Sequence, residues 1–434
     1  MERKIVKRLE KWKNEGHAKP LLIHGARQVG KTYSVLEFGR THYSTTLYIS
    51  LEDSREFAAV FERDLDPDRI VRELAALTGQ TVNVDDTLII FDEIQASPRA
   101  LTSLKYFAEG KTRYHVIATG SLLGISVKQK DEPYSFPVGK VDIEAMYPMD
   151  FEEFCWALDQ APLLDLIRDA YVCMTPLSLH QHALDLYRQH LAIGGMPEVV
   201  ETFIHSGDLN RVVAAHKRLN DSAIADMAKY ATSPQTARIL SAWSSMPAQL
   251  AKDNHRFHYS LVRPGARASQ YEWAIQWLVS AGLVINVPMV VQGRLPLSAH
   301  IEPGTFKLYM YDTGVLTTKL EIPLNQLLHT SQILSGFSGA LTENYVAQSF
   351  AANLVTPYYW ASPGKAEVDF VYQTSTGDIV PVEVKAGDNT RSKSLSRFIE
   401  LYHPKQAVRV STRNFGDDGI IRSVPVYAVW LLTT

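Results

Sequence analysis

The strongest chemical signal in the chain is the run Gly25-Ala26-Arg27-Gln28-Val29-Gly30-Lys31-Thr32. It fits the phosphate-loop pattern of glycine, four variable residues, glycine, lysine and threonine. Gly25 and Gly30 permit a tight loop whose backbone N–H groups point inward at phosphate oxygens. The positive end of a following helix faces the same anion. Lys31 then reaches the β- and γ-phosphates, and the Thr32 hydroxyl ligates Mg²⁺. ATP and Mg²⁺ are therefore the expected ligands, with all eight residues at the nucleotide. A second element is Asp92-Glu93, which follows the apolar run Leu88-Ile89-Ile90-Phe91. Such a run sets Asp92 at the carboxyl end of a buried strand, where ligands bind in parallel sheets. Asp92 is expected to hold the Mg²⁺ shell, and Glu93 to polarise the attacking water as general base. A third strand, His115 to Thr119, leads into Gly120-Ser121. Ser121, or Thr119, is a candidate sensor of the γ-phosphate, with a simple helix cap as the competing reading.

A second constellation lies near the C-terminus, in Glu367-Val368-Asp369 and Glu383-Val384-Lys385. Glu383 and Lys385 are two apart on an expected strand and so share one face. With Asp369 on the strand before, an Asp and a Glu can hold Mg²⁺ or Mn²⁺ through hard oxygens. Lys385 can orient a nucleophilic water, and metal-bound hydroxide can attack a phosphodiester. A third group is basic: His255-Arg256, His258, Arg263 and Arg267, ahead of a helical run from Ala268 to Ala281. Leu283 to Val287, then Val290-Val291 with Gly293-Arg294, suggest a small hairpin. Together these give a winged-helix outline with the arginines on phosphates. Trp273 and Trp277, four apart, read as core. His180-Gln181-His182 reads as polar helix surface, and Tyr358-Tyr359-Trp360 as packing.

These residues need a scaffold, and hydrophobic periodicity supplies one. Ile5, Leu9 and Trp12 recur at helical spacing. Leu21 to His24 reads as a strand into the loop, Lys31 to about Arg40 as the helix after it, and Thr46 to Leu51 as another strand. Strands alternating with helices indicate a parallel sheet covered on both faces. From about Asp150 to Arg218 the pattern is helical, broken at Gly194-Gly195-Met196-Pro197. Phe306 to Tyr311, Val368 to Tyr372 and Ile379 to Val384 read as strands, and Thr342 to Leu354 as a helix. A chain of 434 residues is too long for one core. The expected division is 1–150 ATPase, 151–219 helical extension, 220–305 winged-helix-like, and 306–434 nuclease-like. A net charge of −3 announces no global basic face, and two cysteines exclude a disulfide scaffold. With no signal-type or spanning segment, a cytoplasmic protein away from membranes is expected.

The chain resembles the archaeal-type AAA ATPases of bacteria and archaea that carry a C-terminal domain of unknown function. The resemblance runs through GARQVGKT, FDEIQ from Phe91, ATGSLLGI from Ala118, and Tyr147 to Phe154. It continues in GGMPEVV from Gly194, FKLYMYDTGVL from Phe306, TENYV from Thr342, EVDF from Glu367 and PVEVKAG from Pro381. It implies an ATPase core, a winged-helix-like middle and a nuclease-fold end. The C-terminal residues resemble the PD-(D/E)XK nuclease core, and Glu343 matches the helical acid of its Holliday-junction-resolvase branch. Glu343, Asp369, Glu383 and Lys385 would then fill that site. One departure is Gly139-Lys140, where the family has a Gly-Arg pair. Lysine lacks the planar fork of arginine, so no arginine finger is assigned; Arg99 and Arg113 are candidates.

The expected fold class is α/β: a P-loop NTPase sheet of AAA/ASCE type, then a helical winged-helix-like segment and a small nuclease-like domain. The expected function is ATP hydrolysis coupled to action on DNA, branched DNA in particular, with cleavage open. A ring or other homo-oligomer is compatible with AAA-type sites. The alternative is a nucleotide-switched protein-interaction module with an inert nuclease-like scaffold.

Overall fold

Apolar strands alternate with amphipathic helices in the first third of the chain, and they assemble as that pattern requires. The computed structural model describes residues 1–15, 19–121, 137–229, 233–252, 255–329, 337–362, 364, 366–385 and 392–433. The Leu122–Ile125 end of ATGSLLGI and the Ala386-Gly387 end of PVEVKAG lie outside these. Five strands, β1 (Leu21–His24), β2 (Thr45–Ser50), β3 (Thr87–Asp92), β4 (His115–Gly120) and β5 (Asp142–Ala145), form one sheet in the order β2-β3-β4-β1-β5. Every neighbouring pair is parallel. β3 is buried along its whole length, as a central parallel strand must be when helices cover both faces. Helix Pro67–Thr78 starts where Asp66 accepts from the Arg69 N–H, and ends at Gly79 in the left-handed region (φ 67°). Ser97 caps helix Pro98–Glu109 in the same way. These helices bury Ile70, Leu74, Leu101, Leu104 and Phe107 against Leu47, Ile49, Ile89 and Phe91.

The chain divides into two compact units, Glu2–Tyr147 with Ser280–Gly282, and Pro148–Val279 with Leu283–Thr434 and Met1. The second unit begins with helices. An Asp150–Glu153 capping box opens Phe151–Ala157, and long helices follow at His180–Ile193, Leu209–Lys229, Ser233–Leu250 and Ala268–Ser280. Eight strands come next: β6 (Val284–Val290), β7 (Ile301–Met310), β8 (Tyr358–Ala361), β9 (Glu367–Gln373), β10 (Ile379–Val384), β11 (Ala407–Ser411), β12 (Gly416–Asp417) and β13 (Ile421–Pro425). Their order is β12-β13-β11-β10-β9-β8-β6-β7. Helix Ser338–Ala352 precedes β8 and is buried from Ala340 through Ala351, which explains its lack of an amphipathic pattern.

The hairpin expected within 283–294 takes another form. Residues 284–290 make one strand, which pairs antiparallel with β7 and parallel with β8. β6 lies between β7 and β8, with Val284, Ile285, Val287 and Val290 buried, so the strand continues past the point where a hairpin turn was read. The motifs at Gly194 and Asp312 knit helices to sheet. Asp312 accepts from the Gly195 N–H (2.6 Å) and the Val315 N–H (2.9 Å). A Cβ on Gly195 would stand 2.0 Å from the Met149 carbonyl oxygen, so no other residue fits there without backbone movement.

Candidate functional site

In the first unit, β4 stands between the loop strand β1 and the acidic strand β3, so the carboxyl ends of all three lie side by side. Gly30 sits at φ 96° at the start of helix Lys31–His42. Gly25 has φ 153°, and a Cβ there would reach 2.0 Å from the Met146 carbonyl oxygen. Both glycines of the motif are thus required by geometry. The Lys31 ammonium is buried and donates to the carbonyls of Gly25 (2.9 Å) and Ala26 (2.8 Å). Thr32 Oγ1 donates to Asp92, 3.0 Å from each carboxylate oxygen. Asp92 also accepts from Tyr48 OH (2.8 Å) and from Thr119 Oγ1. A threonine hydroxyl beside a carboxylate is a hard-oxygen pair that suits Mg²⁺, so Thr32 and Asp92 fit the ion expected of them.

Glu93 takes a left-handed backbone (φ 50°) just after β3, which turns its carboxylate out of line with Asp92. Such a conformation is costly for a non-glycine residue. Gln95 Nε2 donates to Glu93, and Ser121 Oγ lies 3.5 Å from the same Glu93 oxygen. The two sensor candidates therefore serve different acids, Thr119 with Asp92 and Ser121 with Glu93. Arg27 pairs with Glu52 at 3.4 Å, while Ala26 and Val29 are buried in the loop. Lys140 pairs with Glu109 (3.0 Å), Arg99 donates to the Phe61 carbonyl (2.7 Å), and Arg113 to that of Ala108. Lys140 and the two candidate finger residues all engage groups of their own unit.

The second unit draws the C-terminal residues together. Helix Ser338–Ala352 carries Glu343, β9 carries Glu367 and Asp369, and β10 delivers Glu383 with Lys385 just beyond its end. Lys385 Nζ lies 2.6 Å from Glu383 Oε1. Asp369 accepts from the Val384 N–H at 2.8 Å. Burial, with the charges of Glu343 and Glu383 nearby, pushes the Asp369 carboxyl well above its usual range. Burial also works to raise Glu343, but Lys307 and His255 outweigh it and bring that carboxyl down to about 2. Among the described residues, no group of three or more His, Cys, Asp or Glu side chains is arranged to hold a metal ion. Asp369 and Glu383 remain a two-carboxylate pair of the right chemistry for a hard cation.

Several participants were not read from sequence. Lys307 Nζ lies 2.9 Å from Glu367 and 3.6 Å from Glu343. Tyr309 OH donates to Glu343 at 2.8 Å. His255, read as part of a basic group, and Arg256, read as a phosphate contact, meet Glu343 (2.8 Å) and Glu367 (2.8 Å). Their reassignment has a simple cause: the acids that bind them lie about a hundred residues downstream and give no local signal. His258 is tied to Gln249 through its backbone, whereas Arg263 and Arg267 are exposed. Trp277 is core and Trp273 half-buried; Tyr359 and Trp360 are packed inside, and His180 bonds Tyr427 and the Thr412 carbonyl. No helix among the described residues is long and apolar enough to cross a membrane.

Residues 17–155 match a family model described as an AAA domain, AAA_14. Residues 184–326 and 338–429 match two models, DUF8612 and DUF4143, each described as a domain of unknown function. Among solved structures, a Walker-type ATPase of Pyrococcus abyssi is 16% identical over 74% of this chain and 95% of its own, with a TM-score of 0.45. The Aeropyrum pernix ORC1 protein in complex with DNA is 12% identical over 74% of this chain and 93% of its own, with a TM-score of 0.29. The ORC2 protein of the same organism is 15% identical over 78% and 92%, with a TM-score of 0.33. These three likenesses are too distant to bear on function. No curated protein matches the chain. The chain carries a P-loop ATPase domain of AAA type, followed by two domains of unknown function.

Proposed function

We propose that this chain hydrolyses ATP and uses the cycle to act on DNA, with a C-terminal nuclease-type fold that binds or cleaves branched DNA. At the first site, the loop amides and Lys31 would hold the phosphates, and Thr32 and Asp92 would hold Mg²⁺. When bound, Mg²⁺ shields the phosphate charge against which the nucleophile must move. Glu93 would take a proton from the attacking water, with Gln95 and Ser121 fixing its carboxylate.

One observation carries the DNA half of this reading. Helix Ser338–Ala352, then β8, β9 and β10, helix Lys393–Tyr402 and β11 run in the order helix, three strands, helix, strand. β8–β9 and β9–β10 are antiparallel, and β10–β11 is parallel. That order supports a nuclease-type core, with Glu343 on its first helix, Asp369 and Glu383 on its second and third strands, and Lys385 just past the end of the third. The test is binding and cleavage of a labelled four-way junction and a linear duplex, with Mn²⁺ present, by the full chain. Lys385→Ala and Asp369→Ala are each expected to abolish cleavage or weaken binding by about tenfold or more. Indifference to both changes sinks the DNA reading.

A second reading has its own support. Lys307 and Arg256 already neutralise Glu343 and Glu367, as in a scaffold that no longer handles substrate. The chain would then be a nucleotide-switched module for a protein partner, since fold does not imply function.

A further inference from the structure

Lys307, on β7, is 1% exposed. Lysine is almost never so buried unless it is paired. Its ammonium bridges Glu367 (2.9 Å) and Glu343 (3.6 Å) and lies 5.0 Å from the centre of the Tyr359 ring. Both acids are further engaged. Glu343 Oε2 takes His255 Nδ1 and Tyr309 OH, and Glu367 Oε2 takes Arg256. The other two acids differ. Asp369 accepts the Val384 N–H on one oxygen. Glu383 Oε1 pairs with Lys385, yet Oε2 is buried with no hydrogen-bond partner. An unsatisfied buried carboxylate oxygen is costly unless a ligand supplies the missing partner. The four acids thus split into a pair already served by protein cations and a pair with acceptor capacity to spare. The absence, among the described residues, of any three acids, histidines or cysteines converging on one point agrees with that split.

We infer that Lys307 is a resident cation that keeps Glu343 and Glu367 out of metal coordination, so that the site takes one divalent ion on Asp369 and Glu383. Lys307 is then a positioning residue, and it limits the ligands of that ion to Asp369 and Glu383. The inference rests on the nuclease-type reading of the same site and adds its metal stoichiometry.

The test titrates Mn²⁺ into the nucleotide-free full chain and counts bound ions by the loss of the free-ion paramagnetic resonance signal. Asp369→Asn reports what the rest of the chain binds. Wild type is expected to bind one more ion than Asp369→Asn. Glu343→Gln is expected to keep that ion within about twofold of wild-type affinity. Lys307→Met is expected to tighten it about tenfold, because Glu343 becomes a ligand and ligand charge sets divalent affinity. The double variant Lys307→Met with Glu343→Gln loses that gain. If Lys307→Met does not fold, as melting will show, the comparison of Glu343→Gln with Asp369→Asn decides alone. A loss in Glu343→Gln as large as in Asp369→Asn overturns the inference and leaves the nuclease-type reading standing. No Asp369-dependent ion in wild type overturns the inference and the metal-using reading together.

Discussion

On the proposed reading Lys31 and Glu93 divide the work at the phosphate loop, and their substitutions should separate binding from turnover. Lys31→Ala removes the ammonium that would hold the phosphates, so ATP binding and hydrolysis should both fall. Glu93→Gln keeps the shape and loses the base, so binding persists while hydrolysis drops by about 10²–10⁴-fold. Calorimetric ATP binding alongside steady-state phosphate release checks the pair; wild-type turnover in Glu93→Gln would remove that residue from the role. The first site was legible because its parts are local: eight contiguous loop residues and two adjacent acids at a strand end. Tyr48 was silent, being a tyrosine on an ordinary strand until β2 pairs with β3 and brings it to Asp92. The second site was half legible. Asp369, Glu383 and Lys385 were read from spacing and Glu343 from the family resemblance, but Lys307, Tyr309 and His255 reach it only through the fold, the last across 88 positions of sequence.

At the scale of elements, periodicity identified most strands and helices but could not assign strands to sheets. The β6 run reads equally as half of a small hairpin or as an interior strand, and only pairing to β7 and β8 decides it. The Gly194 stretch, read as a turn, and the Asp312 motif meet in one junction. Asp312→Ala strips a buried acceptor from two N–H groups and should cost about 3 kcal/mol or more. Gly195→Ala forces the Met149 carbonyl aside at a cost of about 1–3 kcal/mol. Denaturant unfolding of the full chain measures both, and near-neutral values would remove the junction from the stability of the second unit. Two buried histidines nearby give a pH dependence. His190 bonds the Met149 carbonyl (3.1 Å) and His216 that of Ile193 (2.8 Å). Burial pushes both below the ordinary histidine value. Above about pH 6.5 neither the folded nor the unfolded state is protonated there, and the two residues cost nothing. As pH falls below about 6.5 the unfolded chain takes up protons that the fold refuses, so stability declines. Melting between about pH 8 and pH 5 should therefore show a falling midpoint, with a shallower slope in His216→Gln. A midpoint flat across that window would show the pair to be protonated without cost in the folded state.

The whole molecule joins a P-loop ATPase unit to a larger unit holding a second charged site. With a net charge of −3, attraction to DNA must come from local basic groups rather than from the chain as a whole. Arg263 and Arg267, which are exposed, are the groups that would contribute it, and binding should weaken as salt rises. If the chain both turns over nucleotide and engages DNA, as proposed, each is expected to alter the other. The most direct test of that coupling is steady-state ATP hydrolysis with no DNA, single strands, linear duplex and a four-way junction, with Glu93→Gln as the blank. A DNA-acting ATPase predicts that a DNA form, the junction foremost, raises the rate well above the DNA-free level. Real hydrolysis that no DNA form changes would contradict it and favour the protein-switch reading.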